Sequence, residues 1–434
     1  MTTRRDFMKT VFVGGGTGVL APSVFSVAIQ SAYAGDGQPM KSDDSPILVV
    51  VQLSGGNDGL NTVVPIGDDD YYRVRSRLAM KPKTCLRIDD ETGLHPALEG
   101  LKSLYDDGLA SIIQGVGYPN PNRSHFRSME IWHTASDADR YEQHGWLGRY
   151  FDGHGKDLDA SIGIALGKQQ PQAFAAALPR GLSFKTPEEL SLRSSARGRA
   201  NGEFRRDAWE SMNGINEQAD EGASIGELAG APLSPGMSPI EFLEQTARDA
   251  RHGAETITRL IHTVRNEVSY PRTSLGRDCS LVAKLISGKM PTRVYYVSHG
   301  GFDTHTNQAG THDRLLKQFG DAMNSFVTDL RKQGNLQRVL ILVFSEFGRR
   351  VKENANSGTD HGAAGPLFVC GGASRGGILG AQPSLHTRDL VQGDLKHQFD
   401  FRSIYATVLE GHMRVAAQPI LRKRFPIVNG LFSA

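Results

Sequence analysis

Carboxylates, imidazoles and glycines gather at a few short places in this sequence. Ser54-Gly55-Gly56-Asn57-Asp58-Gly59 is one, and Ser298-His299-Gly300-Gly301-Phe302-Asp303-Thr304-His305 is another, with His312 a little further on. Ser345-Glu346-Phe347-Gly348-Arg349 and Thr359-Asp360-His361-Gly362 follow, while Asn122-Arg123-Ser124-His125 sets a hydroxyl between a cation and an imidazole. Asp and Glu supply hard oxygen ligands and neutral His supplies nitrogen, so this mixture suits a divalent metal. The glycines allow the backbone to come close to a ligand. Each residue also fits a plainer role: Asp58 as turn chemistry, Glu346 as a cap on the next helix, Ser124 as an ordinary N-cap.

Four of the clusters stand directly behind, or shortly after, a short apolar run. The runs are Ile47 to Leu53, Ala110 to Val116, Arg293 to Val297, Val339 to Phe344 and Leu367 to Cys370. Bounded by polar or glycine-rich segments, they predict strands buried on both faces of a mostly parallel sheet. Thr311 to Lys332 carries Leu315, Leu316, Phe319, Ala322, Met323, Phe326 and Leu330 at helical spacing. A strand on either side of that helix makes a βαβ unit of an α/β fold. Ligands of such sheets bind beyond the carboxyl ends of the strands, where the polar clusters stand. From Lys185 to Pro235 large apolar residues are scarce, which predicts an exposed insertion or a flexible connection. Ser238-Pro239-Ile240-Glu241 then has the pattern of a capped helix running to about Asn266, so that a helical or flexible insertion is expected over about 185–275.

The N-terminus carries an address. Arg4-Arg5 precedes Phe7 and Lys9, a weakly hydrophobic stretch runs from Thr10 to Ile29, and Ala32-Tyr33-Ala34 supplies a cleavage site. That order predicts a twin-arginine signal peptide over 1–34, the twin-arginine translocase as export partner, and a single domain over 35–434 in the periplasm or secreted. Gly14-Gly15-Gly16 and Pro22 interrupt the stretch, which falls short of the roughly 20 apolar residues of a membrane span. Of the 49 basic and 47 acidic residues, 46 of each remain without the leader, a balance unlike that of a nucleic-acid or anionic-membrane binder. Cys370 reads as a buried thiol; Cys85 and Cys279 could pair in an oxidising compartment, but one bridge cannot define so long a chain.

In order, the leader and the strings LSGGNDGLN, NRSHF, GGFDTH, SEFGR and DHG resemble a bacterial exported family known as domain of unknown function 1501, from about Pro46 to Leu431. That family is similar to the alkaline phosphatase and sulfatase superfamily, so the resemblance implies a three-layer α/β sandwich with a metal site at strand ends. Carried over position by position, it implies metal ligands at Asp58, Asp303, His305, Glu346 and His361, with Asp360 adjacent. It implies a nucleophile at Ser124, flanked by Arg123 and His125, and a charge-neutralising role for Arg123 or Arg349. Asp303 and His305 are closer in sequence than the superfamily pattern, which leaves His299 and His312 as alternative ligands. Phe347 replaces a common His, so one of two metal positions is expected to be altered or lost. Cys85 lacks the Cys-x-Pro/Ala-x-Arg context of a formylglycine sulfatase.

The expected activity is hydrolysis of phosphate or sulfate esters, or related anionic groups, of small molecules or polymers, with a divalent Zn, Mn, Ca or Mg ion. One alternative uses water directly and leaves Ser124 structural. The other is a non-catalytic secreted protein that keeps the fold and binds a partner. Trp132, Trp146 and Tyr71-Tyr72 are expected to pack, and Asp400 and Arg402 to cap a late helix and form an ion pair.

Overall fold

Every residue from Ile47 to Leu53 except Gln52 is apolar, and a strand built from them has to be covered on both faces. The computed structural model describes residues 45–154, 160–177, 180–186 and 253–432. The leader and most of the expected insertion lie outside the described residues. In chain order the elements that matter are β1 (Ile47–Ser54), α1 (Glu99–Asp106), β2 (Ala110–Gly117), α2 (His125–Thr134), α3 (Trp146–His154), β3 (Gly163–Leu166) and β4 (Leu182–Phe184). Then come α4 (Ser274–Ser287), β5 (Val294–Gly300), α5 (Gln308–Lys332), β6 (Val339–Phe344), β7 (Gly365–Gly371), β8 (Gly377–Leu379), β9 (Phe399–Asp400) and α6 (Phe401–Thr407).

The strands form one nine-stranded sheet in the order β8-β2-β7-β6-β1-β5-β3-β4, with β9 also on β2. The pleat divides the core in two. Ile47, Val49, Val51 and Leu53 of β1 pack with the apolar faces of α1, α4 and α5. Leu48 and Val50 point the other way, into a cluster with Trp132 of α2, Trp146 and Phe151 of α3, and Phe401 and Tyr405 of α6. Each such side chain, fully buried, contributes about 1.5–3 kcal/mol. The result is a large, mostly parallel sheet flanked by helices on both faces.

One strand departs from the parallel reading: β7 runs antiparallel to both β2 and β6. An apolar run reports burial, and direction depends on how the chain returns to the sheet. Helix α5 begins at Gln308, three residues before the expected start at Thr311, and 253–263, within the expected insertion, is helical. Cys85, Cys279 and Cys370 are all free, so the pair considered for Cys85 and Cys279 is not formed. Cys279 is buried in α4 and Cys85 lies in the segment leading to a small second sheet. Trp132 stacks between Phe344 and Phe401, with centroid distances of 4.8 and 4.3 Å. Asp400 caps α6 through the Arg402 N–H (2.9 Å) and pairs with the Arg402 guanidinium.

Candidate metal centre

β1 ends at Ser54, and the chain leaves it through Gly55 (φ +117°) and Gly56 (φ +81°), conformations that only glycine adopts freely. A Cβ on Gly55 would sit 2.5 Å from the backbone nitrogen of Asp303, so the loops after β1 and β5 touch backbone to backbone. The Gly55 N–H donates to Glu346 Oε1 (2.8 Å) and the Asn57 N–H to Ser345 Oγ (2.8 Å), which joins both loops to the one after β6. Buried Arg349 fastens the assembly: Nε donates to Gly56 O (2.7 Å), Nη1 to Thr359 O (2.8 Å), and Nη2 to Phe302 O (2.9 Å) and Asp303 Oδ1 (2.7 Å).

On this frame three histidines converge on Asp303. His125, the first residue of α2, places Nε2 3.3 Å from Asp303 Oδ2. His305 and His361 each place Nε2 3.0 Å from Asp303 Oδ1, and the two nitrogens are 3.0 Å apart. The other ring nitrogens each face an acceptor. His361 Nδ1 lies 2.7 Å from the carbonyl of Arg123, His305 Nδ1 3.0 Å from Asp360 Oδ1, and His125 Nδ1 2.9 Å from Glu346 Oε1. A carbonyl or carboxylate can only accept, so a neutral ring that donates from Nδ1 presents an Nε2 lone pair, the form that binds a cation. Rings oriented through Nδ1–H by carboxylate or carbonyl are the usual support of metal ligands. The residues present therefore fit a divalent metal. Asp303 and His305 are 48% and 41% exposed, so the centre opens to solvent.

The electrostatics agree. The hydrogen bond to Glu346 raises the His125 pKa, against desolvation and with help from Asp303, so the site favours a positive charge there. Burial works to raise the Asp303 carboxyl, but bonds from Arg349 and His361 outweigh it and hold the group well below its ordinary value. Asp360 is lowered, first by its bond to His305.

Of the residues that the sequence singles out, Asp303, His305, His361, His125, Glu346 and Asp360 are brought together. Glu346 and Asp360 stand behind the rings they hold, and His125 stands in the front rank. Asp58 is elsewhere. Its carboxylate is buried in a pair with Arg75 Nη1 (2.5 Å) and also accepts from Gln308 Nε2 (2.5 Å). Burial would raise its pKa, and Arg75 keeps it lowered. His299 is directed at Leu315 O (3.1 Å), and buried His312 packs against His95 and lies 3.1 Å from Asn57 Oδ1, with burial lowering its pKa to about 3.

Ser124 is exposed at the N-cap of α2 and its side chain makes no capping hydrogen bond. Arg123 is held by Asp394 through Nε (2.8 Å) and Nη2. Arg349 is fully buried with every guanidinium nitrogen engaged, so it positions Asp303 and does not reach a substrate. Arg75 and Gln308 carry no mark in the sequence beyond ordinary polar residues.

No curated protein matches the chain. Solved structures that overlap it include a sulfatase from Pseudoalteromonas sp., at 10% identity over 95% of this chain and 75% of that one, with a TM-score of 0.35. The C-terminal periplasmic domain of EptC from Escherichia coli, in complex with Zn, overlaps at 10% identity, 77% and 75% coverage and a TM-score of 0.33. The lipoteichoic acid synthase LtaP from Listeria monocytogenes does so at 7% identity, 79% and 67% coverage and a TM-score of 0.32. Residues 46–423 match the family described as "Protein of unknown function (DUF1501)", and the chain belongs to that family.

Proposed function

We propose that the protein is an exported hydrolase of phosphate or sulfate esters, or related anionic groups, that depends on a divalent metal held by His125, His305, His361 and Asp303. The observation that supports it is the convergence of three oriented Nε2 atoms on one carboxylate at the open end of the sheet. A divalent cation there would polarise a phosphoryl or sulfuryl oxygen and lower the pKa of a hydroxyl or water. Glu346 and Asp360 hold His125 and His305 in the ligating tautomer, and the Arg123 carbonyl does the same for His361. Ser124, at the start of α2 and next to His125, is the nucleophile, and the first turn of that helix favours the developing negative charge modestly. The substrate class comes from the sequence resemblance, as do export through the twin-arginine translocase and residence in the periplasm or outside the cell. Among the described residues no helix is long and apolar enough to cross a membrane.

Elemental analysis by plasma mass spectrometry, on protein purified without chelators, tests the centre. Metal is expected in the wild type and lost in His361→Ala; a well-folded wild type without metal overturns the proposal. The absence of a capping bond or base on the Ser124 hydroxyl favours a second reading, in which water is the nucleophile. Ser124→Ala separates the two: turnover of an aryl phosphate or aryl sulfate falls roughly a thousandfold or more if Ser124 attacks, and largely survives if water does.

A further inference from the structure

We infer that Phe126 is a specificity-determining residue that receives the leaving group of the substrate, and that this group is a ring with a flat apolar face, a sugar or an aryl ring, and not a short acyclic alcohol. The inference rests on the hydrolase reading above and names the substrate class for it.

An exposed phenyl ring forgoes the stabilisation of burial. Among the described residues four large apolar side chains are exposed, Phe126 at 90%, Tyr141 at 77%, Val391 at 50% and Ile427 at 44%. One such side chain alone is ordinary; the placement of these is not. Phe126 directly follows Ser124 and His125 at the start of α2. The Tyr141 ring lies 3.9 Å from the guanidinium of Arg127, the next residue of that helix. Val391 belongs to a loop fastened to the same region, since Gln392 O accepts from Arg350 Nη1 (3.2 Å) and Asp394 Oδ2 from Arg123 Nε (2.8 Å), and the Arg123 carbonyl holds His361. Three of the four therefore belong to segments that border the metal centre.

The first turn of α2 gives Phe126 its direction. His125 turns to Asp303 and Glu346, Ser128 is buried with Oγ on the Glu346 carbonyl, and Arg127 is buried against the carbonyls of Asp137 and Ala138. At about 100° per residue these three take the protein side of the turn and leave Phe126 the solvent side. The Cα–Cβ bonds of a helix tilt toward its N-terminus, so the phenyl ring leans toward Ser124 and the open side of the centre. A phosphoryl or sulfuryl group at the ion projects its leaving group outward there. An isolated phenyl ring offers one flat face, which matches a ring laid upon it, whereas a short acyclic alcohol has no face to lay. Arg123, with its side chain 35% exposed, stands two residues before His125 and suits the polar edge of such a ring.

The test uses three phosphonates that cannot be hydrolysed: phenylphosphonate, methylphosphonate and the phosphonate analogue of glucose 6-phosphate. Each is titrated by calorimetry into Zn2+-loaded wild type, Phe126→Ala and Phe126→Tyr, with the metal content of each preparation counted by plasma mass spectrometry. Because the replaced side chain is exposed, the variants are expected to fold and to keep the metal. Phe126→Ala is expected to weaken at least one ring-bearing probe about tenfold, to move methylphosphonate by less than about twofold, and Phe126→Tyr to restore the lost affinity. Loss confined to phenylphosphonate assigns an aryl leaving group, and loss for the glucose analogue assigns a sugar. Equal weakening of all three probes, or no weakening of either ring-bearing one, overturns the inference and leaves the proposed function standing. A metal-loaded wild type that binds none of the three overturns the proposed function and the inference with it.

Discussion

At the scale of single residues the centre depends on which ring nitrogen carries hydrogen. Asp360 is 55% exposed and accepts from His305 Nδ1 at 3.0 Å. If it orients the ring, Asp360→Asn keeps a carbonyl oxygen for that bond and retains most of the metal affinity. Asp360→Ala removes the acceptor and weakens binding about tenfold to a hundredfold. If Asp360 is itself a ligand, both variants lose metal alike; calorimetric titration of each with Zn2+ decides. Sequence alone brought Asp303, His305, His361, Glu346 and Asp360 forward as a group, because each stands close to an apolar run. It gave no way to rank ligand against support, since His125 and Glu346 are 221 residues apart along the chain and their contact fixes both roles.

At the scale of elements the loops after β1 and β5 meet so closely that there is no room for a single methyl group between them. Gly55→Ala would put a Cβ 2.5 Å from the Asp303 nitrogen at φ +117°, and is expected to cost about 3 kcal/mol or more in denaturant unfolding. Gly108→Ala is the control. It shares a positive φ of +73° but meets nothing within 4 Å, so only the backbone strain of about 1–2 kcal/mol applies. Equal losses in the two would show that the contact between the loops contributes nothing. The strands themselves were legible: the expected run 339–344 is β6 to the residue, and 47–53 falls one short of β1. The antiparallel direction of β7 was not, because a strand covered on both faces has the same composition in either direction.

At the scale of the whole molecule, burial of histidines ties stability to pH. Desolvation lowers His133 and His412 from 6.5 to about 4. The unfolded chain binds protons on them below pH 6.5 and the folded chain does not. Their stabilisation is therefore fully present above that pH and is lost as pH falls toward 4, at up to about 1.4 kcal/mol per pH unit for each group. His412→Gln should keep the bond to Ile47 O, now 3.0 Å from His412 Nε2, and flatten that slope by one group's share in urea unfolding at several pH values; an unchanged slope would show that His412 does not titrate on unfolding. What the sequence determined by itself was the set of buried strands, and hence the residues that come to stand beyond their ends, because apolar patterning is a local property. What only the tertiary structure decided was how those residues are charged and paired. Nothing in Tyr71-Tyr72-Arg73-Val74-Arg75-Ser76-Arg77 distinguishes Arg75 from its neighbours, yet Arg73 and Arg77 are 65% and 48% exposed while Arg75 is buried against Asp58. Partnership in a folded chain depends on distance in space, and the sequence records only distance along the chain.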